Sequence, residues 1–332
     1  MSRSLSMIAA AIALTALAMP ALANDSTAST GAGGLVLRQT ADIDMLSEDL
    51  YVSVEQIRVH YVFRNRAPHD VNVTVAFPMP DRDLSAMRES DVGYPSDFHT
   101  MVAGRPVAAT LERHIVANGR DQTALLQGLH IPLAPDADGT GRIVAALTAL
   151  PAARQAELRR LGLVDVDEYD EGHGMQQHWV PMWTVRDTWY WQQTFPAGRD
   201  LIVDHRYRPG AGSSAGTPLA FPDVRRSADG RAEAALYCAD ADFIASLDRR
   251  MHAMGEGAEL GDYRIDYILT TGGNWRSPIG DFRLVVDKGR PDNLLSFCET
   301  GVRRISPTQF EVRHQNWRPT RDLHVLIVQA NQ

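Results

Sequence analysis

Residues 57–77 read IRVHYVFRNRAPHDVNVTVAF, and this stretch decides the fold class of the chain. From Ile57 to Arg64 every second residue is apolar, and the same alternation returns from Val71 to Phe77. A period of two puts one apolar row and one polar row on opposite faces of a β-strand. The intervening residues 65–70, NRAPHD, have the composition of a turn. The sequence predicts two strands that pair as an antiparallel hairpin.

Further strand patterns follow towards the C-terminus, whereas the middle of the chain is different. Residues 146–162 are rich in alanine, leucine and arginine at helical spacing, with Pro151 near a helix start. We therefore expect a mainly β protein with two β-sandwich-like domains, at 24–120 and 179–332. A helical insertion or connector over 121–178 would separate them.

The N-terminus has the three parts of a secretory signal peptide. Arg3 precedes an uncharged apolar run from Met7 to Ala18, and Ala21-Leu22-Ala23 is a small-residue cleavage motif. We expect residues 1–23 to be removed before Asn24. No later stretch is long and apolar enough to predict a transmembrane helix. The mature protein is therefore expected to be periplasmic or secreted.

The chain has two cysteines, Cys238 and Cys298, which do not form a Cys-x-x-Cys motif. In an oxidising compartment such a lone pair predicts one structural disulfide.

The charge balance argues against nucleic-acid binding. The formal net charge of the chain is −8, and removal of Arg3 with the signal peptide would leave −9. A mildly acidic chain with scattered arginines has no basic footprint for nucleic acid.

Two family resemblances are visible. Residues 61–65 (YVFRN) and 75–80 (VAFPMP) resemble the β domain beside von Willebrand type A modules in inter-alpha-trypsin inhibitor heavy chains. Residues 191–197 (WQQTFPA), 205–209 (HRYRP) and 272–275 (GGNW) resemble an exported bacterial family known as domain of unknown function 4424. The resemblances imply a β-sandwich and export, and they imply no activity.

A tryptophan-rich segment is the candidate binding surface. Trp189 and Trp191 share a strand face with Phe195, which favours a core position for them. Tyr190 lies on the opposite face, and exposed aromatic rings can stack on sugars or grip a peptide. The candidate contact residues are Tyr190, Trp183 and Trp179.

An acidic run after Leu163 is the candidate metal site. Calcium prefers several oxygen ligands from one loop, although the spacing here is not that of an EF-hand. The candidate ligands are Asp165, Asp167, Asp170 and His173. The alternative interpretation is a solvated acidic loop without a cofactor.

No catalytic motif fits its surroundings. Residues 212–216 (GSSAG) match Gly-x-Ser-x-Gly, but they lie in a small-residue loop rather than between a buried strand and a helix. The sequence thus favours a non-catalytic binding or scaffold protein that contacts a protein or glycan of the cell envelope. The alternative is a hydrolase that uses the acidic and histidine residues of 165–178.

Overall fold

The computed structural model of the protein describes residues 24–31, 34–88, 93–136, 139–170, 172, 174–255, 257 and 259–330. The predicted signal peptide and His173 lie outside these residues. The strands are β1 (Ser26–Gly31), β2 (Gly34–Arg38), β3 (Ile43–Val52), β4 (Ile57–Asn65), β5 (Val71–Pro78), β6 (Arg82–Asp83), β7 (Ser96–Val102), β8 (Arg105–Val107), β9 (Thr110–Ala117), β10 (Arg120–Asp121), β11 (Val164–Asp170), β12 (Met175–Pro181), β13 (Thr184–Phe195), β14 (Asp200–Arg208), β15 (Gly212–Ser214), β16 (Leu260–Tyr267), β17 (Ile279–Asp287), β18 (Leu294–Phe297), β19 (Arg303–Arg304), β20 (Gln309–Trp317) and β21 (Leu323–Ala330). The α-helices are α1 (Thr123–Gly128), α2 (Gly141–Ala149), α3 (Ala152–Arg160), α4 (Pro222–Arg226), α5 (Ala228–Leu236) and α6 (Ala241–Met254), and three short 3-10 helices span Leu84–Arg88, Pro218–Ala220 and Thr270–Asn274.

Four sheets, one of them only two-stranded, build the described part of the chain, and the mainly β class is confirmed. An eight-stranded sheet has the order β19-β20-β17-β3-β4-β14-β7-β8. A seven-stranded sheet has the order β10-β9-β13-β5-β1-β2, with β6 beside β13. A four-stranded sheet has the order β15-β16-β21-β18, and β11 pairs with β12 in a separate hairpin.

The main core lies where the eight-stranded sheet faces the seven-stranded and four-stranded sheets. Tyr61 and Phe282 of the eight-stranded sheet belong to one buried cluster with Phe77 of the seven-stranded sheet and Tyr267 of the four-stranded sheet. These rings are the inward members of alternating strands, so the period-two pattern identifies the core correctly.

Both large sheets combine strands from the two ends of the chain. β3 pairs in parallel with β17, and β4 pairs with β14. In the seven-stranded sheet, β5 and β9 both pair with β13. Residues 24–120 and 179–332 therefore contribute strands to the same sheets. The domain boundaries expected from the sequence stay a prediction.

The predicted hairpin between residues 57–64 and 71–77 is wrong. β4 belongs to the eight-stranded sheet and β5 to the seven-stranded sheet, so the turn carries the chain across the core. Asn65 holds this crossing, because its side-chain amide donates to the carbonyls of His69 and Phe195, both at 2.8 Å. Alternation specifies which face of a strand is buried, and it does not specify the partner strand.

The helical insertion is present, but Pro151 divides it into two helices. Leu150 is extended, as is usual before proline, so α2 ends there and α3 begins after Pro151. Leu147 of α2 and Leu158 of α3 are buried with Trp183 in a second apolar cluster at one end of the seven-stranded sheet.

Helices α4 to α6 cover the far side of the four-stranded sheet. Phe243 and Leu247 of α6 are buried there with Leu326 and Val328 of β21. The side chain of Asp240 caps α6 by accepting from the Phe243 amide at 2.8 Å, as is typical of a helix N-cap. Cys238, just before this helix, is joined to Cys298 by a disulfide bond.

The acidic run is not a loop as expected. Residues 164–170 form β11, which pairs with β12 in register, with Asp167 opposite His178.

Among the described residues, no helix combines the length and the apolar character needed to cross a membrane.

Candidate functional site

A cavity of about 890 Å³ lies at the β7–β8 edge of the eight-stranded sheet. We call it the edge cavity. Its walls come from the outer face of β3, β4, β14, β17 and β20, from the β7–β8 segment, and from β13 of the seven-stranded sheet. The lining includes the charged residues Asp49, Arg58, Asp204 and Arg206 and the apolar residues Phe98, Met101, Val107 and Trp189.

Three basic side chains form a row across the mouth of this cavity. Arg206 on β14 is directly opposite Arg58 on β4 and directly opposite His99 on β7. Opposite residues of antiparallel neighbours point to the same side of the sheet, so the three side chains are adjacent. All three are exposed. We call Arg58, Arg206 and His99 the cationic row.

The cationic row has no carboxylate partner among the described residues. The guanidinium of Arg58 lies over the ring of Tyr51, 4.5 Å from its centroid, and makes no ion pair with a described residue. Two arginines opposite one another repel when no anion lies between them. An anionic ligand at this position would remove the repulsion and accept several charged hydrogen bonds.

The next row along the same sheet face is neutralised. His60 Nδ1 lies 2.7 Å from the Asp204 carboxylate, and Arg283 lies 3.1 Å from Asp49. Arg283 also donates to Glu311 at 2.8 Å. Hydrogen bonds from Arg283, Arg303 and Arg313 lower the pKa of Glu311 to about 2. The basic side chains of this neighbouring row therefore have carboxylate partners, in contrast to those of the cationic row.

Aromatic rings form the apolar wall of the edge cavity. Trp189 and Phe98 are stacked, with ring centroids 5.1 Å apart and an interplanar angle of 10°. Both are half-buried. The stack also contacts the ring of His205, which is 5.3 Å from Phe98. A ligand in the cavity would therefore meet charge on one side and aromatic surface on the other.

His205 itself is a satisfied core histidine, as the sequence predicts. Its Nδ1 is 3.1 Å from Thr100 Oγ1, and its Nε2 is 3.1 Å from the Asp25 carboxylate. Its side chain is fully buried. It supports the wall of the cavity from the inside of the sheet.

The aromatic residues predicted to bind lie away from the cavity. Trp183 is 1% exposed and donates its indole N–H to the Leu133 carbonyl at 3.1 Å, so it belongs to the core and presents no contact surface. Trp179 is half-buried against the same apolar cluster. Tyr190 is half-buried on β13, opposite Thr110. Trp189, which the sequence assigns to the core, is the tryptophan that lines the cavity.

The predicted metal ligands are divided by strand geometry. Asp165 and Asp167 occupy one face of β11 and Asp170 occupies the other, because strand side chains alternate. Asp170 Oδ1 accepts the amides of Gly172 at 2.7 Å and Gly174 at 2.8 Å, which forms the hairpin turn. Within the described ranges, no group of three or more His, Cys, Asp or Glu residues could hold a metal ion. A calcium site that includes His173 stays a prediction, since His173 is not described.

The Gly-x-Ser-x-Gly match does not form a nucleophile elbow. Ser214 ends the short strand β15 and donates to the Asp262 carboxylate at 3.0 Å. The chain continues into a 3-10 helix at Pro218–Ala220 instead of an α-helix packed behind the serine.

The cationic row was missed because its members are far apart in the sequence. Arg58 and Arg206 appear as the polar positions of alternating strands, and nothing in the chain order brings them together. The sequence shows only that each arginine lies on the polar face of a strand. It does not show that the two strands are neighbours.

Comparison with known proteins gives a family but no activity. No functionally curated protein matches the chain. A crystal structure of a candidate nutrient-binding protein from Legionella pneumophila is similar, with 14% sequence identity and a TM-score of 0.46 over 92% of this chain and 70% of that one. The resemblance of the N-terminal half to inter-alpha-trypsin inhibitor chains stays a prediction.

The family predicted from the WQQTFPA and GGNW segments is confirmed over nearly the whole chain. The model of the family described as Domain of unknown function (DUF4424) matches residues 23–326. This protein belongs to that family.

Proposed function

We propose that this protein is an exported, non-catalytic binding module whose edge cavity takes an acidic saccharide of the cell envelope. The cationic row carries the proposal. It is a set of exposed basic side chains beside an aromatic wall, next to a row on the same sheet face whose charged side chains are paired.

The charge of the ligand follows from Arg58 and Arg206. An arginine presents a planar fork of donors that matches carboxylate or phosphate oxygens in a bidentate way. Two such forks with His99 beside them would suit a single acidic group. Hydrogen bonds to charged groups contribute about 1.5–3 kcal/mol each.

A saccharide is favoured over a simple inorganic anion because of Trp189 and Phe98. Aromatic faces stack on the apolar faces of sugar rings, and the edge cavity is large enough for a small ligand, which typically occupies about 300–1,000 Å³. The export signal and the disulfide between Cys238 and Cys298 support a location outside the cytoplasm, where such polymers occur.

The hydrolase alternative has weaker support. Asp167 lies opposite His178 on the β11–β12 hairpin, and the His178 ring stacks on Tyr169 with centroids 3.6 Å apart. The carboxyl group of Asp167 and the imidazole of His178 are thus on neighbouring strands, as a general acid and base could be. However, none of these three residues lines the edge cavity.

The test measures binding of acidic oligosaccharides by calorimetry. The probes are hexamers of galacturonic acid, a sialylated oligosaccharide and a phosphorylated oligosaccharide, each with a neutral counterpart of equal length. We expect the acidic members to bind, and the binding to weaken as salt rises. Replacement of Arg206 by alanine should lower the affinity at least about tenfold, which corresponds to roughly 1.4 kcal/mol.

Arg64→Ala is the matched control. Arg64 is on the same face of β4, pairs with Asp200 at the surface, and is not among the residues that line the cavity. Its loss should leave the affinity unchanged. Equal effects of the two substitutions, or equal binding of acidic and neutral probes, would contradict the proposal. Retention of a protein instead of any glycan would indicate a different class of partner.

A further inference from the structure

The residues that follow the predicted cleavage site are buried in the molecule. Asn24, Asp25 and Ser26 are fully buried, and Thr27 is 5% exposed. Chain termini normally lie at the surface, where they fray. A buried terminus therefore has to fit among the groups that surround it.

The buried segment is held by polar contacts on several sides. Asn24 Nδ2 donates to Glu48 Oε2 at 3.0 Å, and Asn24 Oδ1 accepts from the Tyr61 hydroxyl. Trp275 Nε1 donates to the Asp25 carbonyl at 2.7 Å. Asn274, beside Trp275, donates to Ser26 Oγ at 3.0 Å. The GGNW segment thus contacts the residues next to the cleavage site.

Among the described residues, the surroundings of Asn24 contain more acidic than basic groups. Two fully buried carboxyl groups are present, Glu48 and Asp25, and His205 is the basic group bonded to them, through Asp25. Glu48 Oε1 has no hydrogen-bond partner among the described residues. The remaining titratable neighbours, Tyr61 and Tyr267, have hydroxyls 3.0 Å apart and bring no cation.

Burial of this kind is costly for a carboxylate. Desolvation, opposed by the Asn24 hydrogen bond and reinforced by Asp25, raises the pKa of Glu48 to about 8. Burial also raises the pKa of Asp25, although His205 acts against it. A cation beside Glu48 would reverse the effect on that residue.

We infer that cleavage between Ala23 and Asn24 supplies the missing cation, and that the new α-ammonium group of Asn24 forms a buried ion pair with Glu48. This rests on the signal-peptide cleavage that is part of the proposed export. Covalent geometry keeps the α-nitrogen within about 5 Å of its own Nδ2, which bonds Glu48. In the uncut chain the same nitrogen is a neutral amide.

The covalent step is an ordinary peptide hydrolysis by a signal peptidase. Water gives its hydroxyl to the Ala23 carbonyl carbon and a proton to the Asn24 nitrogen as the C–N bond breaks. The new Ala23 carboxyl group then releases a proton, and the Asn24 amine takes one up. The mature chain gains a positive charge next to Glu48, which makes no ion pair with a described residue.

The first test compares two purified chains, one that begins at Asn24 and one that begins at an N-acetylated Ala23 and so has no terminal positive charge. We expect the chain that begins at Asn24 to melt several degrees higher. Replacement of Glu48 by glutamine should lower its melting temperature and abolish the difference between the two chains. Equal melting of the two parent chains would overturn the inference, and so would a difference that persists with glutamine at position 48.

A second test does not depend on the stability of a variant. Lys288 is the only lysine, so a chain that begins at Asn24 has two amines to label, and peptide mapping separates them. We expect the α-amine to resist acetylation in the native state and to react after unfolding in urea. Equal reaction rates in both states would refute the ion pair. A different first residue in the exported protein would do the same.

Discussion

At the scale of single residues, Glu48 determines how stability should depend on pH while the peptide bond before Asn24 is intact. Its folded pKa of about 8 lies above the ordinary value of 4.5, so the folded state binds the proton more tightly than the unfolded state. The contribution of Glu48 to stability is then complete below pH 4.5 and is lost as the pH rises through about 8. Urea unfolding of the chain that begins at N-acetylated Ala23, measured at pH 5 and pH 8, should show this decline.

The matched variant for this prediction is Glu48→Gln, which cannot titrate. Its unfolding free energy should change less between the two pH values than that of the parent chain. If both chains lose the same amount of stability, another group is responsible for the pH dependence.

Trp183 is the residue whose removal should destabilise the second apolar cluster most. Its ring is 1% exposed, and its N–H is bonded to Leu133. Truncation of a buried tryptophan to alanine costs about 3–5 kcal/mol. Trp179→Ala, at a half-buried position of the same cluster, should cost less in chemical unfolding experiments. The reverse order would contradict the burial found here.

The sequence pattern predicted the buried position of His205, but it did not predict the edge cavity. His205 falls on an apolar strand face, which is enough to place it in the core. Trp189 shares a face with Trp191, yet only Trp191 is fully covered, because Trp189 lies where the edge cavity opens. Exposure at a cavity depends on neighbouring strands that no single strand pattern contains.

At the scale of elements, the β11–β12 hairpin argues against a calcium site built from the three aspartates. Asp165 and Asp167 face away from Asp170, so one ion cannot bind all three while the strand pairing is intact. We expect millimolar calcium to leave the melting temperature unchanged. A rise that disappears in an Asp165→Asn/Asp167→Asn variant would show that these carboxylates do bind the ion.

The elements themselves were largely predictable, whereas their partners were not. The strands around Ile57 and Val71 are found, and the turn between them is where the sequence places it. The predicted pairing of these two strands is wrong. Two consecutive strands show the same alternation of apolar residues whether they pair in a hairpin or lie in opposite sheets. The register that creates the cationic row depends on this missing information.

At the scale of the whole molecule, the disulfide fastens the helical cover to the four-stranded sheet. It joins Cys238, before α6, to Cys298, after β18, across 60 positions of the chain. In the chain-entropy account, a bridge over a loop of that length contributes about 4 kcal/mol. The Cys238→Ser/Cys298→Ser double variant should lose stability of that order in urea unfolding. An unchanged midpoint would mean that the helices are held by packing alone.

The parallel pairing of β3 with β17 sets an order of events during synthesis. A ribosome makes β3 early, but residues 53–278 must be made before its neighbour β17 exists. Contacts between segments so distant in sequence form slowly, since a long loop has to close first. One edge of β3 therefore stays unpaired until residues 279–287 have been made, and an unpaired strand edge is a template for association with another chain.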